Sequence, residues 1–273
     1  MSNSQNLFQN TNLINIGDIP VSLETYVIYY NYHNRSGRTT INYPLLNLID
    51  ELVREGLHRK CKTLYYLASD RNEFKDVSPS VIGNYQIELK GNRYISGDGM
   101  QGGDEAYDNR EYDASKGDLC LVFMMTKPST TGFDWGGEDE VNHVHSFSSA
   151  GHVNATNFEN VIFKWDTNKH NPAITKQDDP QAGTGLYVIH INKTALQYRH
   201  NDLVIDKEVA PSYAKFTPGL MNYHAEQDNF KFPSNGTMKL YATFSNDGLG
   251  QNGLTKDETN KIQKIFSKYQ NQL

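Results

Sequence analysis

The chain has 273 residues, 37% of them hydrophobic, enough for one large domain or a catalytic domain with an extension. A formal net charge of -6 argues against a nucleic-acid-binding protein, because phosphate contacts call for a concentrated excess of Lys and Arg. Cys61 and Cys120 are too few for a disulfide scaffold and lack metal-ligand spacing, so they read as buried free thiols, with a single bridge between them as the alternative. The amino terminus, Met1-Ser2-Asn3-Ser4-Gln5-Asn6, has no basic stretch followed by an apolar run. No segment approaches eighteen continuous apolar residues, so a soluble chain without a cleaved leader is expected.

Residues 1–20 are polar and Asn-rich and are expected to form a flexible lead-in to a single domain over 21–273. Residues 23–32, rich in Tyr, Val and Ile, predict a strand that ends at the turn signal Asn34-Arg35-Ser36-Gly37. Pro44 then opens a helix that closes at Gly56. Residues 63–69 and 85–89 predict strands, and 91–117 form a long irregular excursion dense in Gly, Asp and Asn. Residues 118–125 are nearly all apolar and predict a central strand or a short buried helix, with Cys120 as a packed hydrophobe. A serine-bearing strand around 146–149, a short helix around 153–158, strands over 186–191 and 238–244, and an amphipathic helix over 256–269 complete the chain. Seventeen tyrosines favour strands and turns over long helices, which points to a β-rich α+β fold.

Three segments of the second half carry the chemistry in order. They are Ser146-Phe147-Ser148-Ser149, then Gly183-Thr184-Gly185 leading into Leu186-Tyr187-Val188-Ile189-His190-Ile191, then Tyr223-His224-Ala225-Glu226. In that order they resemble the pertussis- and cholera-type mono-ADP-ribosyltransferases, over the stretch from Thr63 to Phe244. The resemblance implies an α+β fold of two small packed β-sheets around an NAD cleft, with flanking helices. It implies that NAD is the substrate and that ADP-ribose passes to a host protein such as actin or a GTPase. The enzyme would be a monomeric bacterial toxin or effector, secreted or injected and acting in the host cytosol, for instance the toxic segment of an insecticidal Tc-type toxin.

The resemblance also assigns roles. Glu226 would be the catalytic carboxylate that stabilises the oxocarbenium-like ribose cation as nicotinamide departs. His224, where an arginine-directed enzyme carries a second glutamate, would orient a different acceptor. Phe147, Ser148 and Ser149 would match the aromatic-Ser-Thr-Ser element that braces the NAD pocket, with Ser146 as the alternative leading serine. The middle Thr of that element is Ser here. Arg71 would grip the NAD phosphates, a task suited to a planar bidentate donor, with Arg35 and Arg93 as competing choices. The strand position where the family carries this arginine is Tyr or Leu in this chain. Tyr213 and Phe216 would lie in the loop that meets the acceptor.

Three other readings stand beside this one. A Cys/His-dependent deamidase or protease would use Cys120 with His143 or His145, although the apolar neighbours of Cys120 do not favour a thiolate. His143 and His145, two apart on a strand, could converge on a metal with His152 and Asp139 or Glu140. A non-enzymatic module would recognise a partner through its tyrosine-rich surface and need no catalytic glutamate.

Overall fold

In the computed structural model, which describes residues 13–68, 77–83, 85–90, 95–101, 105–108, 112–113, 119–129, 134–138, 145–148, 161–166, 174–192, 195–208, 215–216, 219–221, 234–245 and 253–273, the chain begins with a hairpin. Its strands, β1 (Leu13–Ile16) and β2 (Ile19–Ser22), lie within and just beyond the expected lead-in. Helices α1 (Leu23–Ser36) and α2 (Tyr43–Arg54) and a short 3-10 turn at Leu57–Arg59 follow. Then come β3 (Cys61–Tyr66), β4 (Val77–Pro79), β5 (Gln86–Lys90), β6 (Ile95–Ser96), β7 (Gly99–Gln101), β8 (Glu105–Asp108) and β9 (Tyr112–Asp113). The middle of the chain supplies β10 (Leu119–Lys127), β11 (Trp135–Glu138), β12 (His145–Ser148), β13 (Val161–Asp166) and β14 (Ile174–Thr175). The last part supplies β15 (Gly185–Ile191), β16 (Ala195–His200), β17 (Leu203–Glu208), β18 (Lys215–Phe216), β19 (Gly219–Leu220), β20 (Thr237–Ser245) and α3 (Lys256–Tyr269).

The apolar run that predicted a central strand or a short buried helix is the strand β10, which is paired antiparallel on both edges, with β15 and with β20. Its side chains alternate between two cores, as a strand buried on both faces requires. Leu119, Leu121, Phe123 and Met125 enter one core, and Cys120, Val122 and Met124 the other. Around β10 the central sheet runs β17-β16-β15-β10-β20-β7-β6, and β3 shares the far edge of β20 with β7. A second sheet runs β14-β13-β12-β11-β19-β8-β5-β4 and is antiparallel throughout. Trp135, Ile174, Leu220 and Ile87 of the second sheet pack with Phe123, Tyr187, Tyr198 and Tyr241 of the central sheet, so the two sheets close on each other as a sandwich.

The helices cover the opposite face of the central sheet. Asn42 caps α2 by accepting from Leu45 N at 2.9 Å, and α2 buries Leu45, Leu46, Leu48, Ile49 and Leu52 at helical spacing. Thr255 and Glu258 form a capping box at the start of α3, which buries Thr259, Ile262, Ile265, Phe266 and Tyr269. Each such Leu, Ile or Phe contributes about 1.5–3 kcal/mol by leaving water. Residues 23–32, expected to be a strand, are helical. Ser22 accepts from Thr25 N at 3.1 Å, Gly37 closes the helix at φ 67°, and the buried Thr25, Tyr29, Tyr32 and Ser36 recur every three or four residues.

The expected α+β architecture of two small sheets around an NAD cleft is therefore corrected. Among the described residues the chain is mostly β, with two eight-stranded sheets and three α-helices confined to one outer face. The interface between the sheets, where that architecture would open a nucleotide cleft, is filled by buried side chains such as Trp135, Phe123 and Tyr187.

Candidate functional site

α1 presents three faces. The first, Thr25, Tyr29, Tyr32 and Ser36, enters the core. The second carries Ile28, Asn31, Asn34 and Arg35, spaced three, three and one apart, so all four lie on one side of the helix. That side borders the turn between β4 and β5, and together they form an open cleft of about 310 Å³ whose other wall is Val81, Ile82 and Gly83. The third face leaves Leu23, Val27 and Tyr30 roughly half exposed beside the cleft, with Tyr30 stacked on Tyr26 at 5.7 Å.

The turn is fixed from behind. Leu64 N donates to Ser80 Oγ at 3.0 Å, Ser80 N donates to Tyr85 O at 2.9 Å, and Ile82 bridges to Leu64 on β3. Ser80, Val81 and Ile82 are buried. Gly83 adopts φ 84°, and a Cβ there would fall on the backbone carbonyl of Lys62, so the position requires glycine. Across the cleft Arg35 is held by carbonyl oxygens. Its Nη2 donates to Ser80 O at 2.8 Å, its Nε to Asn31 O at 3.3 Å, and Nη1 and Nη2 reach Gly83 O at 3.4 Å. Among the described residues no carboxylate pairs with it. Neither Asn31 nor Asn34 uses its amide in an internal hydrogen bond.

This arrangement can bind. Among the described residues its lining offers one guanidinium, two amides and an apolar floor, and no carboxylate, imidazole, thiol or hydroxyl.

Glu226, His224, Arg71, Ser149, Arg93, His143, His152, Asp139, Glu140 and Tyr213 lie outside the described residues, as does the short helix expected around 153–158. Phe147 and Ser148 are on β12, where Phe147 is opposite Gly136 and Lys164, and Ser148 is opposite Trp135 and Phe163. The strand expected behind the NAD pocket is β15, in the central sheet, so it and the serine strand are on opposite sides of the sandwich core. Cys120 faces the helical layer, whereas His145 is on β12 in the second sheet, so these two do not meet. Cys61 and Cys120 are both opposite Phe244, on either side of β20, which separates them by two strand spacings, roughly 9–10 Å. That is too far for a disulfide, and neither cysteine is in one. Arg35, the one described residue among the arginines weighed for the phosphate clamp, lines a cleft. Asn31 and Asn34 escaped the sequence reading because their side-by-side placement exists only in a helix.

A second polar cluster is sealed inside the sandwich. Asp179 Oδ2 accepts from the Tyr198 hydroxyl at 2.8 Å and lies 2.7 Å from His200 Nδ1. His200 stacks on Tyr187 at 4.1 Å, and its Nε2 lies 2.9 Å from Thr184 O. Burial pushes the Tyr198 and Tyr187 hydroxyls well above the ordinary phenol range, so both remain protonated, Tyr198 donating to Asp179 and Tyr187 accepting from Gly183 N at 2.7 Å. The cluster clasps the connection between β14 and β15 to β16, with Asp179, Tyr198 and His200 all buried.

No protein-family model matches this chain, and no curated protein matches it either. Solved structures give distant likenesses. A mutant of Trypanosoma rangeli sialidase displaying trans-sialidase activity aligns at TM-score 0.46 and 9% identity, covering 94% of this chain and 42% of that one. The binding domain of botulinum neurotoxin DC, in complex with SialylT, aligns at TM-score 0.42 and 11% identity, over 78% of this chain and 52% of that one. The Ruminococcus gnavus IT-sialidase CBM40, bound to α2,6 sialyllactose, aligns at TM-score 0.30 and 13% identity, over 60% and 96%. The chain thus spans less than half of the sialidase. At these scores the likenesses define no shared fold, and the architecture rests on the strand pairing above.

Proposed function

We propose that this chain is a non-catalytic recognition module that takes a small polar ligand in the cleft between α1 and the turn over 80–83. The observation that carries the reading is the cleft itself. Among the described residues, a rigid turn and a rigid helix face hold one guanidinium and two free amides over an apolar floor, with nothing that could act as acid, base or nucleophile. Its volume is at the lower end of the range for ligand pockets, which suits a ligand of one ring.

The test is ligand-observed NMR with a panel of monosaccharides, small carboxylates and nucleosides, on the wild-type chain and on Asn31→Trp, which fills the cleft from an exposed helical position. Lys264→Ala, exposed on α3, serves as the control. Binding that Asn31→Trp abolishes and Lys264→Ala leaves intact is the expected result. A panel with no ligand sensitive to Asn31→Trp would sink the reading.

A second reading, mono-ADP-ribosyl transfer from NAD to a host protein such as actin or a GTPase, draws support from the order of the serine, Gly-Thr-Gly and glutamate segments and from Ser148 ending a strand. Incubation with labelled NAD and a eukaryotic lysate would label a discrete band, and Glu226→Ala would remove it. NAD left intact by the wild-type chain would dismiss this reading.

A further inference from the structure

We propose, resting on the recognition reading, that the ligand of this cleft is an acidic sugar residue whose carboxylate is held by Arg35. The charge of Arg35 is the first ground. Several other cations are matched to carboxylates, Lys60 to Glu258, Arg199 to Asp206, Lys207 to Asp178 and Lys261 to Glu55, while Lys176 donates to the Ala182 carbonyl. Arg35 has carbonyl oxygens as its partners, and these orient the guanidinium without neutralising it. Nη1 makes one long contact, 3.4 Å to Gly83 O, so one of its hydrogens remains open for an incoming anion.

The second ground is the company it keeps. Asn31 and Asn34 each present an unused amide oxygen and NH2, a donor and acceptor set that matches ring hydroxyls. Ile28, Val81 and Ile82 provide an apolar surface for the C–H face of a pyranose. A bare carboxylate would leave the amides and the floor unused, and a neutral sugar would leave the guanidinium unanswered. A ring that carries both a carboxylate and hydroxyls uses all three.

The experiment titrates the full chain with methyl glucuronide, the methyl glycoside of N-acetylneuraminic acid, methyl glucoside and acetate, and follows binding by NMR. At least one acidic sugar should bind about tenfold or more tighter than methyl glucoside and acetate, the scale of one charge-assisted hydrogen bond. Arg35→Gln should bring the acidic sugar down to the level of methyl glucoside. On the wild-type chain alone, raising salt from about 0.05 to about 0.5 M should weaken the acidic sugar and spare the neutral one. The salt series therefore decides the matter even where Arg35→Gln does not fold. Methyl glucoside bound as tightly as the acidic sugars, and lost in Asn31→Trp, would overturn this inference and leave the recognition reading standing. No Asn31→Trp-sensitive binding of either acidic sugar would overturn this inference, and the recognition reading falls with it only if the wider panel also yields no such ligand.

Discussion

Gly83→Ala should unfold the cleft wall selectively, and its cost can be worked from two features of the site. The first is conformational: Gly83 is at φ 84°, where a Cβ costs about 1–2 kcal/mol. The second is steric, because the new Cβ would sit well under 3.0 Å from the backbone oxygen of Lys62, beside β3. Lys62 is on β3 at the irregularity between the Thr63–Thr243 and Cys61–Phe244 pairs, and the paired residues on either side limit how far that oxygen can retreat. The turn must move instead, at the expense of buried hydrogen bonds such as Leu64 N to Ser80 Oγ, each worth about 1 kcal/mol. The sum is about 2–4 kcal/mol. Gly56→Ala is the internal control, because it shares the positive φ, at 71°, and its Cβ would meet nothing within 4 Å. It should cost about 1 kcal/mol after the unfolded-state entropy gain of Ala is subtracted. Urea unfolding of the two variants separates the steric part from the conformational one. Displacing the turn also removes the Ser80 and Gly83 carbonyls from Arg35, so Gly83→Ala should lose ligand where Gly56→Ala keeps it. Equal midpoint shifts for the two would refute the reasoning.

Tyr198→Phe leaves the buried Asp179 Oδ2 without that donor and should cost about 1–3 kcal/mol in urea unfolding, the range for a buried polar group left unsatisfied. A loss under about 0.5 kcal/mol would mean the cluster is not a clasp. The Lys256 ammonium, and after it Arg199, hold the Asp206 carboxyl below its ordinary value of 3.8. A depressed folded value stabilises the chain above the unfolded value and loses that contribution as pH falls through the folded one, so stability should drop below about pH 4. Asp206→Asn should flatten that acid limb, and identical limbs in the two proteins would contradict the pairing. Cys61 and Cys120, 5% and 0% exposed, should be unreactive to a chromogenic disulfide reagent in the folded chain and should both titrate in urea. A denatured chain with no reactive thiol would show that the two had paired.

What the sequence disclosed was set by how local the determinant is. β10 was legible because burial on both faces leaves an unbroken apolar run, and α3 because its amphipathic pattern follows a local capping box. The sheet order was not legible, since it depends on partners far apart in the chain. Thr63 and Thr243 share a hydroxyl hydrogen bond of 2.7 Å inside the sheet, and nothing near either residue announces the other. The excursion at 91–117 hides pieces such as β6 and β9, two residues each, too short to set up a period. The strong alternation of hydroxyl and aromatic residues in the serine strand was legible as a strand, yet the fold around it is not the one its resemblance implied.

α1 was misread for a reason that bears on function. Tyr26, Tyr29, Tyr30, Tyr32, Val27 and Ile28 form a poor helix by propensity, because β-branched and aromatic side chains lose rotamer freedom against the preceding turn. Burial explains Tyr29 and Tyr32, which enter the core between the helices and the central sheet. It does not explain Leu23, Val27 and Tyr30, which are 54%, 47% and 50% exposed, where Ala, Lys or Glu would hold the helix better and keep it soluble. Nor does stability explain an arginine without a carboxylate or two asparagines without partners along the adjoining strip. A helix that departs from local preference on its outward side, and does so next to a cleft, has its composition set by what it meets rather than by what it folds against. The same strip that defeated the strand reading is therefore the part of the chain where contact with a ligand best accounts for the residues present.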